Sequence, residues 1–377
     1  MMNKVLFIAP TKYKYPINED LKSKFVTLSE ICKPFIFAFS DKKKTTAVGN
    51  TNLILHKKLR NRLLNYLKII YLFAFIVPKK IKQHQIDIVC LQDPVTSYFA
   101  IKSLKLRNSK VKIVLESHGD FIETIALEKK LLIPSIYKKL FKIFSSYSIK
   151  NADLIRSISS FTEEQVKSYG YKGKFVRFPA WINLDKFLKA KNIRDANDHF
   201  KIIFVGSVTD RKNPKLIVRA ISKIDSEISL EIIGPTPNKT YLNELKESIS
   251  NSQHKENIFF SPFIEIDELV QKYSSANLFI LPSKSEGLGR VVIEAQATAC
   301  PVLVSSNTGA VDLIIDHETG YIFENNNLED LKEKIKKIID NQNHSVQVGL
   351  NGKSFVAQNH TIENFKFGYK KLFDLVS

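Results

Sequence analysis

Cysteine is scarce in this 377-residue chain: Cys32, Cys90 and Cys300 are the only three. An odd, scattered set with no CxxC pair and no Cys/His cluster excludes a disulfide framework and a zinc module of ordinary spacing, and fits a reducing cytoplasm. No leader is expected, because Lys4 is followed only by the short run VLFIAP, without a small-residue cleavage site. No apolar run reaches the roughly 20 residues that a bilayer-spanning helix needs. The best candidate, Leu63 to Val77, carries Asn65 and Lys68. No internal repeat is visible. What remains is a chain with 44% apolar and 25% charged residues, typical of a folded protein rather than a disordered one. Its length suits two domains of ordinary size.

Charge is unevenly spread. Residues 1–190 hold 35 Lys+Arg against 14 Asp+Glu, a net of +21, whereas residues 191–377 hold 22 against 24, a net of −2. A compositional bias towards lysine would have coloured both halves, so the asymmetry points to a polyanionic partner for the first half, nucleic acid or an anionic membrane.

Short, nearly continuous apolar runs alternate with longer amphipathic ones, the pattern of parallel strands buried on both faces and joined by crossover helices. KVLFIAP (4–10), PFIFAFS (34–40), IDIVCLQ (86–92), KIVLES (112–117) and DLIRSIS (153–159) read as strands. Between them, a helix is expected from Lys57 to Lys82, with eight Lys/Arg and no acid, and with Leu59, Leu63, Tyr66, Leu67, Ile70, Phe73 and Ala74 on one side. A second is expected from Lys129 to Lys150, with Pro134 in a first helical turn and Ile136, Leu140, Ile143, Phe144 and Tyr147 sharing a face. The plain reading packs both apolar faces on the sheet. A compatible, sharper one lets Lys57, Lys58, Arg60, Arg62, Lys138, Lys139 and Lys142 hold an anionic leaflet.

The polar stretch KAKNIRDANDH (189–199) reads as a linker. Beyond it the alternation restarts with strands at KIIFVG (201–206), SLEIIG (229–234), NIFFSP (257–262), LFILPS (278–283) and PVLVSS (301–306), separated by helices, and it ends in an amphipathic tail, Glu363 to Val376. The expected organisation is therefore α/β: Rossmann-like domains at 1–190 and 191–360 facing a central cleft, with a helix over 361–377. Ligands of such sheets lie beyond the carboxyl ends of the strands.

Three groups of residues at such ends could carry chemistry. Arg211 and Lys212 stand in GSVTDRKNP, just before a helix whose N-terminus already favours an anion. In SEGLGRVVIEA, Gly287 and Gly289 let the backbone approach a ligand, Leu288 lies between them, and Glu286 and Glu294 flank the turn with seven residues between them. A carboxylate in the turn can accept hydrogen bonds from sugar hydroxyls, and one a turn into the helix can accept them from a ribose. Either alone would read as a cap or a solvated acid. His118 ends KIVLES next to Gly119 and Asp120; a lone histidine is often structural, but this one stands where a cleft residue belongs.

With these residues in place, the chain resembles the retaining glycosyltransferases of family 4 (glycosyl transferases group 1), which have the GT-B fold. SEGLGRVVIEAQATACPVLVSSNTGAVDLIIDHETGYIFE is similar to that family's signature and VGSVTDRKNP to its basic diphosphate loop, while SHG (117–119) and INLDKF (182–187) are similar to weaker marks. The resemblance implies that Glu286 contacts the donor sugar, Glu294 the nucleotide ribose, Arg211 and Lys212 the diphosphate, and His118 the transferred sugar. It also implies that the tail helix crosses back to the first domain. PTKYKYP stands where the family often has glycines, Ser207 where an arginine is common, and Asp312 where a glutamate is frequent.

The expectation is a cytoplasmic transferase, peripheral on the membrane. It would move a hexose from a UDP- or GDP-sugar to a lipid-linked or glycan acceptor, as in surface polysaccharide or lipopolysaccharide synthesis. No DxD sequence is present, so no metal dependence is expected. Two alternatives stay open: a sugar-nucleotide epimerase or hydrolase on the same fold, and a basic nucleic-acid-binding protein, against which no recognition motif or stacking platform is evident.

Overall fold

The computed structural model describes residues 2–119, 134–191, 193–194 and 199–377, with the side chains of Arg62, Pro134 and Ser135 outside that set. Asp120, the expected helix start at Lys129 and part of the 189–199 stretch thus lie outside the described residues. Contacts divide the chain into two compact units: the first holds the described residues up to Trp181 and again Ile362–Ser377, the second those of Ile182–Thr361. The polar stretch 189–199 therefore lies within the second unit rather than at a boundary. The cause is the segment just before it, where buried Phe187 packs on Tyr273 with ring centroids 6.2 Å apart.

In the first unit the elements run β1 (Lys4–Lys12), α1 (Glu19–Ser29), β2 (Lys33–Ser40), β3 (Lys44–Val48), β4 (Thr51–Lys57), α2 (Arg62–Tyr71), a π-turn (Leu72–Ile76) and α3 (Val77–His84). They continue with β5 (Ile88–Gln92), α4 (Pro94–Leu106), β6 (Lys112–Ser117), α5 (Pro134–Lys150), β7 (Leu154–Ser157), α6 (Ser160–Ser168) and β8 (Lys174–Arg177). The eight strands are ordered β3-β4-β2-β1-β5-β6-β7-β8, and every pair is parallel except the β3–β4 hairpin. Alternation of side chains along each strand separates two cores. Leu6, Phe37, Leu91, Leu115 and Ile155 face α2 to α4, while Phe7, Ile36, Cys90, Val114 and Leu154 face α1 and the tail.

The second unit contains α7 (Asp185–Leu188), β9 (Phe200–Val205), α8 (Pro214–Ile221), β10 (Ile228–Ile233), α9 (Lys239–Ser250), β11 (Ile258–Ser261) and α10 (Ile266–Ser275). After these come β12 (Leu278–Leu281), α11 (Arg290–Ala297), β13 (Val302–Ser305), β14 (Tyr321–Phe323), α12 (Leu328–Asp340) and α13 (Gln342–Asn359). Its six strands are all parallel in the order β11-β10-β9-β12-β13-β14. Counted within the unit this is 3-2-1-4-5-6, the doubly wound arrangement whose direction reverses between β9 and β12. The last helix, α14 (Ile362–Val376), belongs to the first unit and seals one face of its sheet with Phe365, Tyr369, Leu372, Phe373 and Val376.

Two helix expectations need correction. Lys57 ends β4 instead of starting a helix, and the helix begins only after Asn61, whose side chain caps it by accepting from the Leu64 amide at 3.0 Å. The apolar face assigned over 57–82 is buried only in part, at Phe73, with Ile70 and Ala74 half-buried. Ile69, Leu72, Phe73, Val77 and Ile81 are buried, while Leu63 is 69% exposed and Tyr66 and Leu67 are exposed with it. The π-turn, whose extra residue shifts the helical phase by about one position, follows Leu63, Tyr66 and Leu67 and bears only on the residues after it, bringing Val77 and Ile81 onto the buried side. On α5, Ile136, Leu140 and Ile143 are likewise exposed; Phe144 stacks on Tyr98 of α4 at 4.5 Å.

Candidate functional site

A doubly wound sheet holds its ligand where the strand order reverses, beyond the carboxyl ends. In the second unit those ends belong to β9 and β12, and the two basic residues and the glycine turn singled out in the sequence leave from them.

The loop after β9 is tightly tied down. Gly206 and Gly234 both have positive φ (155° and 142°), and a Cβ at Gly234 would come within 2.1 Å of the Gly206 carbonyl oxygen. Only glycine allows the ends of β9 and β10 to pack backbone on backbone. Downstream, the Asn213 amide donates to the Thr209 carbonyl at 2.9 Å, which turns Arg211 and Lys212 back towards β12 ahead of α8.

After β12 the chain runs through Ser283–Gly289 into α11. The Glu286 carbonyl accepts from the Gly309 amide at 2.8 Å and fixes the turn from behind. Gly287 and Leu288 are buried, and of the two glycines only Gly289 has a positive φ, 81°, at the helix cap. A Cβ there would meet Leu281, Ala310 and Val292 at 3.1 to 3.3 Å.

These two loops come together. The Lys212 ammonium is ion-paired with Glu286, and Arg211 Nη1 lies 3.6 Å from the same carboxylate while donating to the Ser285 carbonyl at 3.0 Å. All three side chains are largely buried, at 13 to 16% exposure. Beside them Lys284 pairs with Asp210 at 2.7 Å, so the cluster holds three cations against two carboxylates. Sequence reading missed this second pair, although both residues stand in the same two loops. Glu294 lies further along α11, half-buried, where its charge adds to burial in pushing the Tyr273 phenol well above its ordinary pKa. Facing the Arg211–Lys212 loop are therefore one carboxylate, a cap with positive φ and a helix N-terminus, an arrangement suited to an anion attached to a polyol.

In the first unit His118 follows β6, and its Nε2 lies 3.1 Å from Glu116. The imidazole pKa is lowered: burial disfavours the imidazolium, against the hydrogen bond and charge of Glu116, which favour it. The ring is still a third exposed, at 33%, so water moderates the burial effect. Glu116 is joined to Arg156, Tyr369 and Gln92, a network the sequence reading missed. A hollow of about 790 Å³ lined by Met2, Lys4, Cys32, Lys33 and Asp87 opens at the amino ends of the strands, away from where such sheets bind, and we assign it no ligand. Among the described residues no group of three or more His, Cys, Asp or Glu could hold a metal, and no helix is long and apolar enough to cross a membrane.

The family model described as Glycosyl transferases group 1 matches residues 185–355, and that described as Glycosyltransferase Family 4 matches residues 32–186. The chain is related to the GT-B glycosyltransferases. The capsular polysaccharide biosynthesis glycosyltransferase CapM of Staphylococcus aureus is 28% identical over 184 residues, 46% of this chain and 47% of CapM. This chain spans about half to two-thirds of the length of the curated relatives it matches, 47% and 63% for two of them. Among solved structures, sucrose-phosphate synthase from Thermosynechococcus elongatus superposes with a TM-score of 0.78 at 16% identity, covering 99% of this chain and 98% of that one. Anabaena HepE in complex with UDP-glucose gives 0.71 at 12% identity, over 98% and 99%. At such identities the structural likeness shows the fold: two Rossmann-like α/β domains, as in GT-B proteins.

Proposed function

We propose that this chain is a retaining glycosyltransferase that moves a hexose from a UDP- or GDP-sugar to a lipid-linked or glycan acceptor during surface polysaccharide or glycoconjugate synthesis. The observation that carries the reading is the Arg211–Lys212–Glu286 cluster at the reversal point of the second sheet, facing the N-terminus of α11. In this reading Arg211, Lys212 and the amides at Gly287, Leu288 and Gly289 hold the diphosphate and stabilise its charge as it leaves. Glu286 exchanges part of its pairing with Lys212 for sugar hydroxyls, Glu294 takes the ribose, and His118 contacts the transferred sugar. The nucleotide-sugar complex of HepE and the capsular role of CapM support the donor and acceptor classes. No bound metal is invoked.

We further place the enzyme on the anionic inner face of the cell membrane. Support comes from Leu63, Leu64, Leu67, Tyr71 and Phe75 on one helical segment and Ile136, Leu140 and Ile143 on α5, all exposed beside lysines. A groove of about 1150 Å³ on α5 is lined by Lys138, Lys139, Lys142 and Lys150. Exposed apolar residues flanked by cations fit a lipid surface better than a nucleic acid, for which stacking platforms would be needed.

The test is incubation of the purified protein with a panel of UDP- and GDP-sugars and a bacterial lipid extract, followed by analysis of the anomeric configuration. Transfer with retention is expected. Failure with every donor, inversion, or release of sugar without an acceptor would overturn the proposal.

A further inference from the structure

Charged side chains inside a parallel sheet are costly unless paired, and this chain places two in neighbouring strands. Glu116 and Arg156 are 0% and 2% exposed. The strand register sets them side by side on β6 and β7, with Gln92 of β5 on the other flank of Glu116. Both carboxylate oxygens are fully engaged. Oε1 accepts from Arg156 Nη1 at 3.1 Å and from the Tyr369 hydroxyl at 2.7 Å; Oε2 accepts from Gln92 Nε2 at 3.1 Å and lies 3.1 Å from His118 Nε2. Arg156 is itself clamped: Nη2 donates to the Pro179 carbonyl at 2.9 Å, and the guanidinium lies 4.0 Å over the Phe178 ring.

Stability alone does not account for this expense, since well-packed apolar residues generally serve a buried site as well as an ion pair does. What the network adds is control of His118, the one titratable member that reaches solvent. Burial alone would raise the Glu116 pKa, but the charge of Arg156 and the hydrogen bonds from His118 and Tyr369 bring it well below the usual carboxylate range. An ionised carboxylate only accepts, so the nitrogen facing it carries the hydrogen, and in a neutral imidazole Nδ1 keeps its lone pair. The other charges acting on His118 are those of Arg156 and of Lys24 of α1, both of which disfavour the imidazolium, while Tyr13 and Cys90 feel the charge of Glu116.

The geometry points to Glu116 as a positioning residue for His118: it fixes the Nε2–H tautomer so that Nδ1 accepts a hydroxyl hydrogen from the sugar, while Arg156 and Tyr369 hold Glu116 in place. This inference rests on His118 being the substrate contact proposed above. It makes the last helix of the chain, through Tyr369, part of the support for a residue 251 positions earlier.

Two measurements separate the inference from its premise. Imidazole ¹⁵N NMR of the free protein reads the tautomer and titration of His118, and transfer kinetics read kcat and KM. In the unsubstituted protein the Nε2–H tautomer is expected. In Glu116→Gln we expect a mixed tautomer, an imidazole that protonates at lower pH, and kcat lower by about 10- to 100-fold with KM little changed. If Glu116→Gln does not fold, Tyr369→Phe removes one hydroxyl and keeps the ring; it is expected to relax the tautomer preference and lower kcat severalfold. An unchanged tautomer and titration in the folded variant, or unchanged kcat per folded molecule, overturns the proposal. The NMR arm decides the positioning role even if no donor is transferred, an outcome that would sink the functional reading instead.

Discussion

Lys212 and Glu286 meet across 74 residues of sequence, and their pairing keeps the cluster organised before any ligand arrives. Glu286→Ala leaves two largely buried cations without their shared carboxylate, and Lys212→Ala removes the proposed diphosphate contact. Each is expected to lower kcat/KM for transfer by about 10²- to 10³-fold, the usual loss of a preorganised charge-stabilising group. The double variant should lose less than the product of the two, because one interaction is removed twice. Titration makes a second prediction at this scale. Burial lowers His360, and burial with the charges of Lys68, Lys43 and Lys80 lowers His56, both to about 4. A depressed histidine contributes stability above its unfolded pKa of about 6.5, and that contribution is lost as the pH falls towards 4. Urea midpoints should therefore drop between these values, before Glu116 is protonated, and His360→Gln should flatten the drop; midpoints level over this window would contradict it. Arg211, Lys212, Gly289 and Glu286 were legible in the sequence because a glycine turn and a basic loop each follow an apolar strand. Glu116 and Arg156 carried a signal too, a charge inside an apolar run. Their pairing was hidden because strand register is not written in either strand alone, and Tyr369 lies 253 residues from Glu116.

Among the elements, the strands were the most readable, since burial on both faces leaves near-continuous apolar runs such as VLFIA and FIFAF. The β3–β4 hairpin escaped because Lys and Thr in its exposed edge strand mask the alternation, and α13 because Gly349 and Gly352 look like helix breakers. In the structure their bare backbones lie against the Ala299 and Thr319 carbonyls. The π-turn changes the phase of the basic helix only beyond Leu72, where Val77 and Ile81 become the buried residues. The apolar residues left outside give a prediction: replacing Leu63, Leu64 and Leu67 with serine should weaken sedimentation with anionic vesicles by at least about tenfold, since inserting even one leucine contributes about 1.5–3 kcal/mol. Replacing Lys138, Lys139 and Lys142 with alanine should weaken the salt dependence of binding, each near-surface charge contributing about 1 kcal/mol. Vesicle binding unaltered in both variants would reduce these helices to solvated surface.

For the whole molecule, alternating strands and helices announced two doubly wound sheets, but the polar run at 189–199 pointed to the wrong place for the division. Polarity marks exposure, and an exposed loop can lie within a unit as well as between two. The tail is the clearest case of long-range dependence. Deleting Ile362–Ser377 strips five buried apolar side chains from the first sheet, each contributing about 1.5–3 kcal/mol, a sum comparable to the stability of a typical domain. Hydrogen exchange should then show the first unit unprotected while the second keeps its slow amides; equal protection of the first unit in the shortened chain would refute this.

That dependence also has a consequence in time. Synthesis proceeds from the amino end at roughly 5–20 residues per second, and about 180 residues separate Trp181 from α14. For about 10 to 35 seconds, therefore, the nascent first unit carries Phe178 and Trp181, the rings on which Phe365 of α14 packs, and the Glu116–Arg156 pair without that helix over them. It is during that interval that the chain is most exposed to chaperones and proteases. A ribosome that stalls after the second unit would release a product with a complete Arg211–Lys212–Glu286 cluster but without α14 over the Glu116–Arg156 pair.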